Sequence, residues 1–320
     1  KIIKINFDYN GFPKSRNPQE INESLKYFII IREWIKESQN QIPEFLDEII
    51  YSLGSSFIFI NSSFNHLPLF NGATSLNNEE FKNYLNNLGY NFKNDSNECG
   101  EYYIIKNKKI SLIMDVGNSV AKKFSKKYQA GCLSFEITSN NEKLICNSGF
   151  YFKSNDKLKT LLSKSTAAHS TLYIDNHSSC SLDSSSIKNG LKVIFKKINV
   201  NKEYDEIIAR HNGYQKKYGY SHERKIKFLK KNKVFLGTDS LVGNDDMSNV
   251  DFGIRFHIMP GTKVAKTQNS NTVLLSARNG EGWKFICNEY KLIIERGIYL
   301  GSKNKIIENQ NIYISGITEK

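Results

Sequence analysis

The 320 residues carry 45 Lys and Arg against 32 Asp and Glu, a formal charge of +13, and 39% of them are hydrophobic. That length allows two domains, each with a core of its own, while the lack of a long uncharged apolar run excludes a membrane-spanning helix. The positive excess calls for a polyanionic partner, although the pairs Lys122-Lys123, Lys196-Lys197, Lys216-Lys217 and Lys230-Lys231 are scattered as on a solvated surface. Five cysteines without a CxxC pair argue against a disulfide scaffold and against a cysteine zinc site. The opening at Lys1 is neither a signal peptide nor a capped element start, so the chain reads as a piece of a longer protein, cut in a helical region.

Asp8 to Glu20 reads as a loop delivering a helix. Asn17 suits the cap, Pro18 the first helical position, and Glu20 the place from which a capping-box carboxylate reaches back. Ile21, Leu25, Phe28, Ile29 and Ile35 then keep a helical period. A second helix starts near Pro43 and carries Phe45, Leu46, Ile49, Ile50, Leu53 and Phe57, which predicts an antiparallel pair. Leu67 to Gly72 is an apolar loop closed by an Asn-Gly turn, followed by a short helix around Glu79 to Leu88.

From Glu101 onward the pattern is strand, turn, strand, with no intervening helices, which predicts an antiparallel sandwich. Within it, Leu133, Phe135 and Ile137 alternate with Ser134, Glu136 and Thr138, as in a strand with one face buried. Asn140-Asn141 supplies a turn, because Asn tolerates positive φ. Beyond a polar loop, Leu172 and Ile174 alternate with Thr171, Tyr173 and Asp175. Gln129, Asn147 and His169 therefore fall near the ends of three strands. Ser178 to Ser186 is low in complexity and reads as a surface loop.

The phrases AGCLSFEI, LICNSGFYF and STAAHSTLYIDN, with RHNGYQKKYG, HERKIKF, IRFHIMPG and GEGWKF further on, resemble the C-terminal part of the heparinase II/III family of polysaccharide lyases. The resemblance implies an α+β chain, with the end of an incomplete α/α toroid over residues 1–97 and a large antiparallel β-sandwich over 98–320. It also implies an acidic, uronate-containing polysaccharide as partner, β-elimination as the chemistry, and the periplasm or cell envelope as the place, with the cytoplasm as the alternative.

Such an elimination removes the proton α to a carboxylate. The site must neutralise that carboxylate and supply a base and an acid. In the family an Asn on the toroid does the first task, and it would lie upstream of Lys1. The family's tyrosine position matches Glu20, which is either a replacement base or a capping residue whose pKa the helix N-terminus lowers. The family's metal positions match Lys127, Gln129, Asn147 and His169, of which only His169 is a usual zinc ligand. No tightly held metal and no cofactor are expected.

Gln129, Asn147 and His169 either form a hydrogen-bonded cluster holding three strands or, with Lys127, face a substrate groove. Tyr128 is then a candidate for the missing phenol. His211, Tyr214 and Arg224 lie close enough in sequence to line an acidic-sugar groove, with ordinary strand-face roles as the alternative. Arg16, beside a helix start, is a further candidate anion contact. His257 reads as a core residue or a supporting one. Gly-x-Ser-x-Gly, Gly-x-Gly-x-x-Gly and phosphate-loop patterns are absent, and scattered lysines offer no stacked platform for nucleic acid. Two readings follow: a lyase, or an altered family member that binds acidic glycan or serves in cell-envelope assembly. The sequence does not fix the oligomeric state.

Overall fold

The structure, a computed structural model, describes residues 2–61, 66–152, 156–243, 248–303 and 305–318. Asn17 caps the helix Pro18–Glu37 as its position predicts, its Oδ1 accepting from the Gln19 N–H at 2.9 Å. The next helix, Glu44–Asn61, returns alongside, and Arg32 of the first meets Asp47 of the second at 2.6 Å. A third, Glu79–Asn87, follows.

One large antiparallel sheet carries the rest. Its spatial order is Glu98–Cys99, Tyr102–Asn107, Ile110–Asp115, Phe135–Ser139, Glu142–Cys146, Asp251–Ile258, Ile307–Ile317 and Ile293–Tyr299, with Leu172–Ile174 pairing onto Asp251–Ile258. The second layer is split. One sheet runs Val234–Val242, Ser221–Leu229, Tyr204–His211, Val193–Val200, and a smaller one runs Lys263–Lys266, Thr272–Ser276, Gly282–Ile286. Helices at the N-terminal end followed by large antiparallel sheets are the α+β arrangement expected.

Three features depart from expectation. The strand Phe135–Ser139 is buried on both faces, not one, and so is Ile110–Asp115. The reason is that the large sheet is covered on both sides. Tyr103, Ile105, Leu112 and Met114 point into the core shared with the second layer, while their neighbours Tyr102, Ile104 and Ile113 point into the core of the helices. The large sheet therefore serves two cores, one with the second layer on one face and one with the helices on the other. A helix, Lys157–Lys164, also interrupts the strands where a polar loop was expected. Finally, part of the Ser178–Ser186 stretch is ordered, with Ser181–Leu182 pairing with Ile187–Asn189.

The turn at Asn140 and Asn141 is as expected, with φ of 47° and 64°. No described helix is long and apolar enough to cross a membrane.

Candidate functional site

Three segments converge where the helices meet the large sheet: the helix start at Asn17–Glu20, the loop from Leu67 to Ser75, and the approach to the Phe135 strand at Ser125–Gly131. Gln19 Oε1 accepts from the Thr74 N–H at 3.1 Å and from its hydroxyl at 3.0 Å. Gln129 Oε1 accepts from the Gly72 N–H at 2.9 Å, and the Gln129 N–H donates to Asn71 Oδ1 at 3.3 Å. The loop is thereby pinned from both sides.

Gly72 is required at this place. Its φ is +92°, and a Cβ there would sit 2.4 Å from Lys127 Cβ, so the lysine stem lies against bare backbone. Gly72→Ala should lower stability by about 2–3 kcal/mol, from the left-handed backbone and the overlap together. The chemical-denaturation midpoint measures it, and a loss below 1 kcal/mol would mean the loop rearranges freely.

Lys127 and Glu20 are both half-buried at this junction. Glu20 does not form the capping box. Its Oε2 accepts from Ser15 Oγ at 2.5 Å, and the Asn17 N–H that it was expected to take donates to Ser15 Oγ instead. Nor is its pKa lowered: burial raises it, with the Ser15 bond and the Lys127 charge pulling back only partly. A carboxyl held above its usual range beside a cation is suited to proton transfer near an anionic substrate.

Gln129, Asn147 and His169 are buried tie points. Gln129 Nε2 donates to Ser163 O at 2.7 Å and Gly149 O at 3.2 Å, which uses up its carboxamide. Asn147 Oδ1 accepts from the Ser170 N–H at 2.9 Å. His169 Nδ1 donates to Ser165 O at 2.8 Å, and its ring fits because residue 131 is Gly, where a Cβ would come 2.6 Å from the imidazole. Burial lowers the His169 pKa to about 4.

Of these three side chains, the atoms left without a hydrogen-bond partner among the described residues are the donor Asn147 Nδ2 and the acceptor His169 Nε2. One imidazole nitrogen and one amide N–H do not fit a zinc ion, because an N–H has no lone pair to give. Among the described residues, no group of three or more His, Cys, Asp or Glu is placed to hold a metal.

The other sequence candidates spend their polar groups inside the protein, and of them Arg224 lies on the wall of the cavity between the sheets. Tyr128 does not supply a phenol to the Lys127 side: its ring packs into the sandwich core, its hydroxyl meets Ser119 Oγ at 3.1 Å, and burial keeps the phenol protonated. Arg16 is likewise no anion contact. Its guanidinium is buried, bonded to Asp115 at 2.6 Å and to the carbonyls of Glu101 and Asn118 at 3.1 and 3.2 Å.

Arg224, His211 and Tyr214 are also internal. Arg224 forks onto both oxygens of Asp239 at 2.7 and 2.9 Å and donates to Leu133 O and Ser170 O at 2.8 and 2.7 Å. Tyr214 donates to Leu172 O at 2.9 Å. The two histidines complete a directed chain. The Gly213 N–H can only donate, so His211 Nδ1 accepts, at 3.0 Å. His211 Nε2–H then donates to His222 Nδ1 at 3.3 Å, and His222 Nε2–H to Asp239 Oδ1 at 2.7 Å. Arg224 and the protonated nitrogen of His222 hold the Asp239 carboxyl well below the usual carboxylate range. Asp239 was not singled out in the sequence. A lone Asp in a mixed strand gives no signal until its partner across the ladder, Arg224, is known.

A family model described as Heparinase II/III-like, C-terminal, matches residues 95–319. Among curated proteins none matches. A mutant of the heparan sulfate lyase HepC from Pedobacter heparinus superimposes with a TM-score of 0.79 at 15% identity, over 99% of this chain and 52% of that one. A heparinase III superimposes at 0.77 and 16% identity, over 99% of this chain and 53% of that one. At such identities the likeness shows the fold, and the chain spans about half the length of these structures.

Proposed function

Because the chain belongs to the heparinase II/III-like family, we propose that it acts on an acidic, uronate-containing polysaccharide by β-elimination, with Glu20 and Lys127 as the working pair. Lys127 faces the sugar carboxylate. Glu20 takes the proton α to it, the electron pair left behind forms the new carbon–carbon double bond, and the β carbon–oxygen bond breaks, its oxygen leaving with a proton. The observation that carries this reading is that Glu20, half-buried and bonded to Ser15, has a pKa raised by burial and lies within the electrostatic reach of Lys127 at the same junction. The relatives named above are described as heparan sulfate lyase and heparinase III, which supports a sulfated uronate polymer as the first substrate to try.

A second reading, an altered member that binds acidic glycan without cleaving it, is favoured by one fact. Gln129, Asn147 and His169 spend their bonds on the protein's own backbone. Ultraviolet absorbance of the unsaturated uronate product separates the two, measured on heparan sulfate and alginate with and without divalent metal. A lyase gives a rise that Glu20→Gln lowers by roughly 100-fold or more, while Lys127→Met chiefly raises KM. No rise on either polymer, with binding retained, makes the protein a glycan binder.

A further inference from the structure

The split second layer leaves a seam. Val234–Val242 ends the four-stranded sheet, Gly282–Ile286 ends the three-stranded one, and neither is paired on its outer side. Below the seam a cavity of about 1250 Å³ reaches the face of the large sheet. Its walls include Ile137 and Phe256 from the large sheet, Ile226 and Leu241 from the four-stranded one, and Trp283 and Phe285 from the three-stranded one. The rings across it do not close it: Phe235 and Trp283 stack at 6.4 Å between centroids, while Phe256 and Phe285 approach to 4.7 Å.

A space of this size is large even for a ligand pocket. Apolar walls hold water poorly, and an unfilled void forfeits dispersion contacts in proportion to its volume. An apolar occupant recovers both. The ionic groups on the lining specify the other end of that occupant. Lys108, Lys109 and Lys233 line the cavity and are solvent-exposed, and among the described residues no ion pair joins them to a carboxylate. Of the acidic groups nearby, Asp239 is paired with Arg224, and Glu281, which accepts from Ser139 Oγ at 2.7 Å and Asn140 Nδ2 at 2.8 Å, leaves the three lysines in excess of it. Lys284 and Glu289, also on the lining, offset each other in charge.

We propose that the inter-sheet cavity binds a long-chain anionic amphiphile of the fatty-acid type, its chain between the sheets and its acidic head at Lys108, Lys109 and Lys233. The site is independent of Glu20 and Lys127, so it stands or falls apart from the lyase reading.

The two tryptophans make it directly readable. Trp34 is exposed on the first long helix and Trp283 lines the cavity. In a Trp34→Phe background, titration with the fluorescent polyene fatty acid cis-parinaric acid should give saturable energy transfer from Trp283 at about one ligand per chain, reversed by oleate. K108E/K109E/K233E changes only exposed side chains, so the fold should persist by circular dichroism, and binding should weaken at least fivefold. A smaller loss, an absence of transfer from Trp283, or uptake of many ligands per chain would overturn the proposal.

Discussion

Unfolding of this protein is expected to take up several protons as pH falls from about 6.5 towards 5, with stability decreasing across that range. Four histidines are buried and neutral. Burial holds His169 at about 4 and His257 at about 3, the latter also because His169 lies near it. His211 and His222 are lowered for the same first reason. The neighbouring His222 and Arg224 depress His211 further, while Asp239 partly restores His222.

All four folded-state values lie below the ordinary histidine value, so in mild acid it is the unfolded chain that binds the protons. Their stabilisation is complete above about pH 6.5 and is lost as pH falls, down to about pH 4 for His169 and about pH 3 for His257. Each costs about 1.4 kcal/mol per pH unit. Together they remove several kcal/mol per unit, against a total stability of roughly 5–15 kcal/mol for a folded domain.

Local geometry agrees with the sign. A proton added to His211 Nδ1 would face the Gly213 N–H, and one added to His222 Nδ1 would face His211 Nε2–H. The slope of denaturant-derived stability against pH measures the uptake, and His169→Asn should reduce it by about one proton. A slope of one proton or less in the parent protein would show that these rings are open to solvent.

How much of this was legible in the sequence depends on whether a residue's neighbours lie along the chain or across it. Asn17 as a cap and Asn140-Asn141 as a turn were readable because both act on their own backbone. The strand Ile110–Asp115 was readable from its apolar run. The helix Lys157–Lys164 was not, because its amphipathicity is reversed: Thr160, Ser163 and Lys164 are buried while Leu158 and Leu162 are 67% and 57% exposed.

Period analysis assumes that apolar residues mark the buried face, and here polar residues hold the helix to the sandwich. Lys164 Nζ, for instance, donates to Asp183 O and Ser184 O at 3.3 and 3.4 Å. The candidate site was half legible for a similar reason. Glu20 and Lys127 stand out by their place in the family pattern, but that Gly72 lets the Lys127 stem lie against the loop shows only in the structure. Arg16 and Arg224 looked like anion forks, and each had already found its carboxylate 99 and 15 residues away.

Removing Lys143 should cost more than any other single surface-neutral change. Lys143 Nζ meets Glu136 Oε2 at 2.6 Å, with both side chains nearly or fully inaccessible to solvent. The ammonium also donates to Leu67 O at 3.2 Å, and Glu136 Oε1 accepts from the Leu69 and Asn147 N–H groups at 3.2 and 2.9 Å. Lys143→Met leaves a buried carboxylate with two backbone donors and no countercharge, a loss of about 3–5 kcal/mol. The double variant E136Q/K143M should recover at least half of that, because a neutral amide carries no burial penalty for charge, although one of its hydrogens faces a methionine.

The denaturation midpoint at unchanged m-value tests both. If the single variant lost less than 1 kcal/mol, the pair would have to be hydrated in solution. The effect should also travel. Leu67 and Leu69 begin the loop that ends at Gly72 and Thr74, which the Lys127 stem, Gln129 and Gln19 hold in place. An ion pair on the helix-side face of the large sheet thus anchors the start of the loop whose end the Lys127 stem packs against. If Lys127 holds the glycan as proposed, Lys143→Met should therefore weaken glycan binding even at temperatures where the variant remains folded, and Glu136→Gln alone should do so less.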